Sequence, residues 1–102
     1  METIIANRPV ELNEQGYLKN MDQWDKEIAR SIAAEEDIEL TDRHFEILDY
    51  LRTEQEKGTA LSIRRVGKSG VVDIKEFYQL FPNGPLKKAS RIAGIPKPAS
   101  CI

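Results

Sequence analysis

The chain has very few of the residues that build redox, metal and disulfide sites. Among its 102 residues there is one cysteine, Cys101, and one histidine, His44. A single cysteine excludes an internal disulfide, and one cysteine with one histidine cannot close a zinc site of four protein ligands. We therefore expect no metal and no cofactor. A lone unpaired thiol also favours a reducing location such as the cytoplasm.

Long apolar runs are missing as well. No stretch approaches the ~18 consecutive apolar residues that a membrane span requires. The first residues, Met1 to Ile5, contain an acidic side chain and begin no long apolar run, unlike a signal peptide. The length and an apolar content of 40% suit one small domain. The sequence thus predicts a single domain with no membrane partner.

Acidic residues are absent from the last quarter of the chain. All 17 acids lie at or before Glu76, and the first 76 residues carry 11 basic side chains, a net charge of −6. After Glu76 the charged side chains are Lys87, Lys88, Arg91 and Lys97, a net charge of +4. These four cations predict a docking surface for an acidic protein or for phosphate. The alternative is that they simply keep a helix and a tail hydrated.

The spacing of apolar residues predicts a mainly α-helical bundle behind a small hairpin. Two short apolar runs around Asn7-Arg8-Pro9 predict the N-terminal β-hairpin. Apolar stripes at three- and four-residue spacing predict helices over about 21–35, from Thr41 to Gly58, and over 73–81. A weaker pattern predicts a short helix between 58 and 70. In the helix over 73–81, the residues expected to face the core are Ile74, Phe77, Tyr78 and Phe81.

Prolines and glycines mark the end of the predicted domain. Pro85 suits the first position of a last helix over 86–93, and Gly94 suits its left-handed C-cap. Beyond Gly94, two prolines prevent a helix and favour extended polyproline geometry. We predict a helical domain over 1–94 and a flexible arm over 95–102. The residues expected to position this arm are Gly94, Pro96 and Pro98.

The lone thiol lies near the end of this predicted arm. Seven residues lead from Gly94 to Cys101, and in polyproline geometry they reach about 22 Å. A thiolate on such an arm can enter a partner's active site, attack a persulfide and take its outer sulfur. The alternative is that Cys101 is an incidental surface thiol.

Two motifs of the chain are specific, the Leu-Phe-Pro-x-Gly-Pro block at 80–85 and the Ala-Gly-x-Pro-Lys-Pro-x-x-Cys tail at 93–101. Together with further motifs throughout the chain, they resemble the TusE/DsrC family of sulfur-relay proteins. The resemblance implies a helical bundle with an N-terminal hairpin and a mobile arm, whose penultimate cysteine carries a persulfide. That role maps onto Cys101. The residues that carry the resemblance are Gly16-Tyr17-Leu18, Trp24, Ile38-Glu39-Leu40-Thr41, His44-Phe45-Glu46, Tyr50-Leu51-Arg52, Leu80-Phe81-Pro82-Asn83-Gly84-Pro85 and Lys88 to Ile102.

The resemblance also implies partners and a branch of the family. Ser90 stands where DsrC has a second cysteine, which favours a single-cysteine, TusE-like carrier without an intramolecular disulfide. The implied donor is a TusBCD- or DsrEFH-like complex. The implied acceptor is a protein such as a tRNA 2-thiouridylase, so that tRNA is reached only through that acceptor. The segment 53–79 is shorter than the family pattern, and Phe45 replaces a tryptophan, so partner docking is expected to differ.

Other residues leave alternatives open. We expect His44 to pack or cap its helix rather than transfer protons. Arg64 and Arg65 are candidates to contact phosphate or the terminal carboxylate of a retracted arm, or they form a solvated helix face. A rival function is a regulatory DNA-binding protein of sulfur metabolism with a helix-turn-helix from Leu61 to Phe81. The net acidic charge of the domain speaks against it, because nucleic-acid binders carry a basic stripe.

Overall fold

The computed structural model describes residues 1–98, and residues 99–102, with them Cys101, lie outside the described part of the chain. Two strands come first, β1 (Glu2–Ile5) and β2 (Arg8–Glu11), and they pair antiparallel. Their turn is formed by Ala6 and Asn7, both with positive φ, rather than by Asn7-Arg8-Pro9. A tight hairpin turn of this kind needs positive φ, which proline cannot adopt, so Pro9 lies in β2.

Within residues 1–98, five α-helices follow the hairpin, and they are preceded by one short 3-10 turn at Met21–Gln23. The predicted first helix is therefore split. Asn20 caps the 3-10 turn, and Asp25 is extended and accepts the amide proton of Ile28, so the α-helix starts after Asp25. The helices are α1 (Lys26–Glu35), α2 (Asp42–Glu56), α3 (Ile63–Gly67), α4 (Ile74–Leu80) and α5 (Pro85–Ile92).

The side chain of His44 helps to cap the start of α2. Its Nδ1 lies 3.1 Å from the Thr41 backbone nitrogen, while the Thr41 side chain accepts from the His44 amide, which completes a capping box. The other ring nitrogen lies 3.1 Å from the Leu80 carbonyl oxygen. The ring packs edge-on against Phe81 and is 7% exposed. The prediction that His44 packs and caps a helix is confirmed.

Helix α5 lies at the centre of the packing, in contact with α1, α2 and α4. The apolar stripes of these helices meet in one core, to which the hairpin adds Ile5 and Val10. The prediction of a mainly helical domain with an N-terminal hairpin is confirmed. None of the helices within residues 1–98 combines the length and apolar character that crossing a membrane requires.

Helix α4 buries fewer residues than its sequence suggests. Phe77 and Phe81 are fully buried, with ring centroids 5.8 Å apart. Ile74 and Tyr78, which were also expected to face the core, are 44% and 48% exposed. The helix has seven residues and lies at the surface, so one row of side chains, at i and i+4, reaches the core. Ile74 instead covers Gly67 at the end of α3.

Candidate functional site

The root of the predicted arm is fixed by the end of α5. Gly94 has φ +70° and donates its amide proton to the Arg91 carbonyl, while the Ile95 amide donates to the Ser90 carbonyl, 3.1 Å away. These two bonds and the apolar residue after the glycine form a Schellman motif. A Cβ at Gly94 would lie 2.6 Å from Cδ1 of Trp24. Glycine is therefore required here both by the backbone conformation and by the close approach of the indole ring.

Two side chains from distant parts of the chain satisfy the last carbonyls of α5. The Trp24 indole Nε1 donates to the Ile92 carbonyl at 2.7 Å, and Arg52 donates to the Ala93 carbonyl at 2.8 Å. Arg52 also donates to the Met21 carbonyl and stacks 4.3 Å from the centroid of the Trp24 ring. Burial lowers the pKa of Arg52, yet a guanidinium remains charged. The positive group therefore lies at the negative end of the helix dipole.

Ile95, which the sequence assigns to the arm, belongs to the core. It is 1% exposed and packs with the buried residues of the bundle. Its apolar side chain follows the Schellman turn inward, and its amide is bonded to α5. The segment free of α5 therefore begins at Pro96.

Pro96, Lys97 and Pro98 lie beside the junction of α2 and α3. They form one wall of an open groove of about 480 Å³, whose other wall comes from the end of α2 and the segment before α3. Cys101, the predicted reactive residue, lies outside the described residues 1–98. The other residues of this groove are Gln55, Thr59, Ala60, Leu61, Ser62 and Arg65.

The four cations predicted to bind partners have different surroundings. Arg91 binds Glu35 at 2.7 Å, Glu36 at 3.0 Å and the Gly16 carbonyl at 3.1 Å. The Lys88 ammonium lies 3.7 Å from Glu36. These two cations tie α5 to the end of α1, whereas the side chains of Lys87 and Lys97 are exposed. That they dock a partner stays a prediction.

A second basic surface lies on α3. Arg64, Arg65 and Lys68 are exposed and line an open pocket of about 540 Å³ together with Tyr50 and Glu54. Within residues 1–98, no carboxylate forms an ion pair with any of the three cations. Burial, and then the nearby Glu54, raise the pKa of the Tyr50 phenol, so this ring stays neutral. The pocket is completed by the side chains of Ser62 and Ser69.

Two further features bear on possible chemistry. In the described part of the chain, no three His, Cys, Asp or Glu side chains are grouped so that they could hold a metal ion. Ser90 is fully buried in α5, and its hydroxyl oxygen has no hydrogen-bond partner among residues 1–98. Its backbone carbonyl receives the Ile95 amide, so Ser90 lies directly beneath the root of the arm.

The helix-turn-helix alternative corresponds to α3 and α4. Helix α3 has five residues, and α4 carries one cation, Lys75, next to Glu76. Glu76 is bound by Arg43 at 2.7 Å. DNA binding by this region stays a prediction.

The clamp formed by Trp24 and Arg52 is the feature that sequence reasoning missed. Both residues carry the family resemblance, but nothing in their local pattern connects them to the end of α5. Trp24 lies half-buried against the core. The carbonyl that accepts from its indole nitrogen lies 68 residues away in the chain, and the carbonyl that accepts from Arg52 lies 41 residues away. Contacts at such separation leave no periodic signal in the sequence.

The architecture defines a small helical protein with a hairpin at its start and a clamped, proline-bearing segment after its last helix. The chain belongs to the DsrC-like family, because the family model described as "DsrC like protein" matches residues 4–102.

Similar proteins cover nearly the whole chain. It is 37% identical to "Sulfurtransferase TusE" of Photorhabdus laumondii over 97% of this chain and 96% of that protein. It is 40% identical to "Sulfurtransferase TusE homolog" of Haemophilus influenzae over 91% of this chain and 93% of that protein. The crystal structure of the oxidized gamma-subunit of the dissimilatory sulfite reductase (DsrC) from Archaeoglobus fulgidus superposes with a TM-score of 0.82 at 35% identity, and all of each chain is covered.

Proposed function

We propose that this protein is a persulfide carrier of a sulfur relay, with Cys101 as the sulfur-bearing residue. The observation that carries the proposal is the full-length similarity to sulfurtransferases named TusE, in a chain that has a single cysteine. The root of the arm adds physical support. A segment that is clamped at Gly94 and leaves the core after Ile95 gives the residues beyond it a fixed point of attachment.

The proposed chemistry is two successive exchanges at sulfur. The Cys101 thiolate attacks the outer sulfur of a donor persulfide, a new S–S bond forms, and the donor leaves as its thiolate. An acceptor thiolate then attacks the outer sulfur of the Cys101 persulfide and releases the Cys101 thiolate. Each step exchanges one sulfur–sulfur bond for another, so no external oxidant or reductant is consumed. The carrier must keep its thiol reduced, which fits a cytoplasmic location.

The proposed donor is a TusBCD- or DsrEFH-like complex, and the proposed acceptor is a protein such as a tRNA 2-thiouridylase. The naming of the relatives supports this assignment. In this scheme the protein meets tRNA only through the acceptor. Because Cys101 is the only cysteine of the chain, a relay through an internal disulfide is excluded, which favours tRNA thiolation over the chemistry of two-cysteine members.

The proposal is tested by loading the protein with sulfur. The reduced full-length chain is incubated with glutathione persulfide, and intact mass and peptide mass are then measured. We expect a gain of about 32 Da, one sulfur atom, on the C-terminal peptide. The Cys101→Ser variant should gain nothing. A wild-type protein that takes up no sulfur, or a Cys101→Ser variant that takes up as much, would contradict the proposal.

A further inference from the structure

The unpaired cations of α3 and the first residues of the arm occupy adjoining concavities. Ser62 and Arg65 line both the basic pocket on α3 and the groove formed by Pro96–Pro98. Lys97 adds an exposed cation to the groove wall, and among residues 1–98 no carboxylate pairs with it. The basic pocket and the arm therefore share one side of the molecule.

We propose that this side docks an acidic face of the protein that exchanges sulfur with Cys101. We call it the α3–arm surface, and it consists of Arg64, Arg65, Lys68 and Lys97. The inference rests on the proposed function, because it assigns a surface to the partner of that exchange. It adds the three cations of α3 to Lys97, the one member that the basic character of the last 26 residues already indicates.

The length of chain beyond Pro98 supports the assignment. Three residues lead from Pro98 to Cys101, and three residues span at most about 11 Å. A protein whose sulfur meets Cys101 must therefore approach the groove that Pro98 lines with Arg65. Charges separated by roughly 8–10 Å still interact at physiological ionic strength. The cations of the α3–arm surface are thus within electrostatic reach of a partner that reacts with the arm.

The α3–arm surface and the basic helix α5 differ in whether their cations are paired with carboxylates of the chain. On α5, Arg91 and Lys88 are paired with Glu35, the last residue of α1, and Glu36, which follows it. A partner carboxylate at Arg91 or Lys88 would have to displace carboxylates that are already bound, which leaves Lys87 as the exposed cation of α5. On α3 the cations have no such competitor within residues 1–98, so a partner carboxylate gains a new contact.

An acidic protein fits the α3–arm surface better than a nucleic acid does. The cations form a compact group, with Glu54 in the same pocket, and the whole chain has a net charge of −2. A nucleic-acid site needs a basic stripe that follows many phosphates. A compact group of exposed cations matches an acidic patch of similar size, and such rim charges act mainly on the rate of association.

The test measures how fast Cys101 reacts with charged peptides. Two cysteine peptides of equal length, one rich in glutamate and one rich in lysine, are activated as 2-pyridyl disulfides. The Cys101 thiolate attacks the peptide sulfur, a Cys101–peptide disulfide forms, and 2-thiopyridone leaves and is measured by its absorbance. Free cysteine reacted with the same peptides gives the ratio of their intrinsic reactivities, by which all protein ratios are divided.

We expect the wild-type protein to react with the acidic peptide about five to ten times faster than with the basic peptide at low ionic strength, the lower end of electrostatic steering. The preference should fade as salt shortens the screening length. R64E/R65E leaves the four positions with no net charge and should bring the ratio near one, and R64Q/R65Q, which keeps Lys68 and Lys97, should lower the preference only in part. The matched control is K26E/K75E, which changes the net charge equally at two exposed lysines elsewhere and should keep the preference. Circular dichroism checks that each variant is folded.

Three results would overturn the proposal. The first is a wild-type ratio that R64E/R65E leaves unchanged, and the second is an equal loss of preference in K26E/K75E. The third is salt-sensitive binding of an RNA oligonucleotide that exceeds binding of the acidic peptide and is lost in R64E/R65E, which would assign the surface to nucleic acid. The assay needs only the thiol of Cys101, so it gives an answer even if the protein takes up no persulfide sulfur.

Discussion

Helices α3 and α5 carry basic side chains of the same types, and the two helices use them differently. On α5, Arg91 is held by Glu35, Glu36 and the Gly16 carbonyl, so its charge stabilises the fold. On α3, Arg64 and Arg65 are exposed and have no acidic partner within residues 1–98. A run of cations in a sequence can be assigned to a recognition surface only when the structure shows which of them are already paired with carboxylates of the same chain.

The segments that follow α2 and α5 differ in how closely other side chains pack against them. Each helix is followed by a glycine of positive φ, Gly58 after α2 and Gly94 after α5. A Cβ at Gly58 would meet nothing within 4 Å, whereas at Gly94 it would collide with Trp24. The backbone after α5 is thus closely packed at Gly94, whereas the space around Gly58, which leads toward α3, is open.

The largest expected effect contrasts these two glycines. Gly94→Ala should lower the free energy of unfolding by about 3 kcal/mol, because it adds overpacking against Trp24 to the strain of a left-handed alanine. Gly58→Ala should cost about 1 kcal/mol, the backbone strain alone. Urea unfolding of both variants measures the difference. Equal losses would show that the end of α5 is no more tightly packed than the end of α2.

A somewhat smaller effect contrasts the two sets of cations. Arg91→Ala should destabilise the fold by about 2 kcal/mol, since it leaves the partly buried Glu36 with only the more distant Lys88 and removes the donor of the Gly16 carbonyl. Arg65→Ala should change the stability by less than about 0.5 kcal/mol, as exposed substitutions do. Thermal or urea unfolding gives both values. A loss for Arg65→Ala as large as that for Arg91→Ala would mean that α3 is also tied by its cations.

The smallest expected effect is a pH dependence at the start of α1, the helix to which α5 is tied. The Arg8 guanidinium, and then the Ile28 amide, lower the pKa of Asp25 to about 2. Because an unfolded aspartate titrates near 3.9, this stabilisation is complete above about pH 4 and is lost as the pH falls toward 2. Asp25→Asn keeps a capping side chain and has no charge to titrate.

The pH prediction is measured as the loss of unfolding free energy between pH 5 and pH 2. The wild-type protein should lose more than Asp25→Asn does, and the two curves should run parallel above pH 5. Curves that stay parallel down to pH 2 would contradict the assigned contact between Asp25 and Arg8.

Much of the fold could be predicted because its signals are local. Thr41 with His44, Pro85 and Gly94 fix helix ends through contacts of a few residues, and the apolar spacing fixes which faces are buried. The errors arose where a local pattern was compatible with two outcomes. Ile74 and Tyr78 fit the apolar stripe of α4, yet they remain exposed, because a short surface helix buries a single row.

The candidate site also combines features that individual residues determine with features that depend on tertiary contacts. The sequence by itself determined the single thiol, the prolines that follow α5 and the glycine that ends α5, because chemistry and backbone conformation belong to individual residues. Only the tertiary structure decided which cations are free and what holds the root of the arm. Glu35 and Glu36 pair with Arg91 and Lys88, more than 50 residues away, and Trp24 and Arg52 reach the end of α5 across 68 and 41 residues. Charge compensation and burial depend on neighbours in space, and chain order does not encode those neighbours.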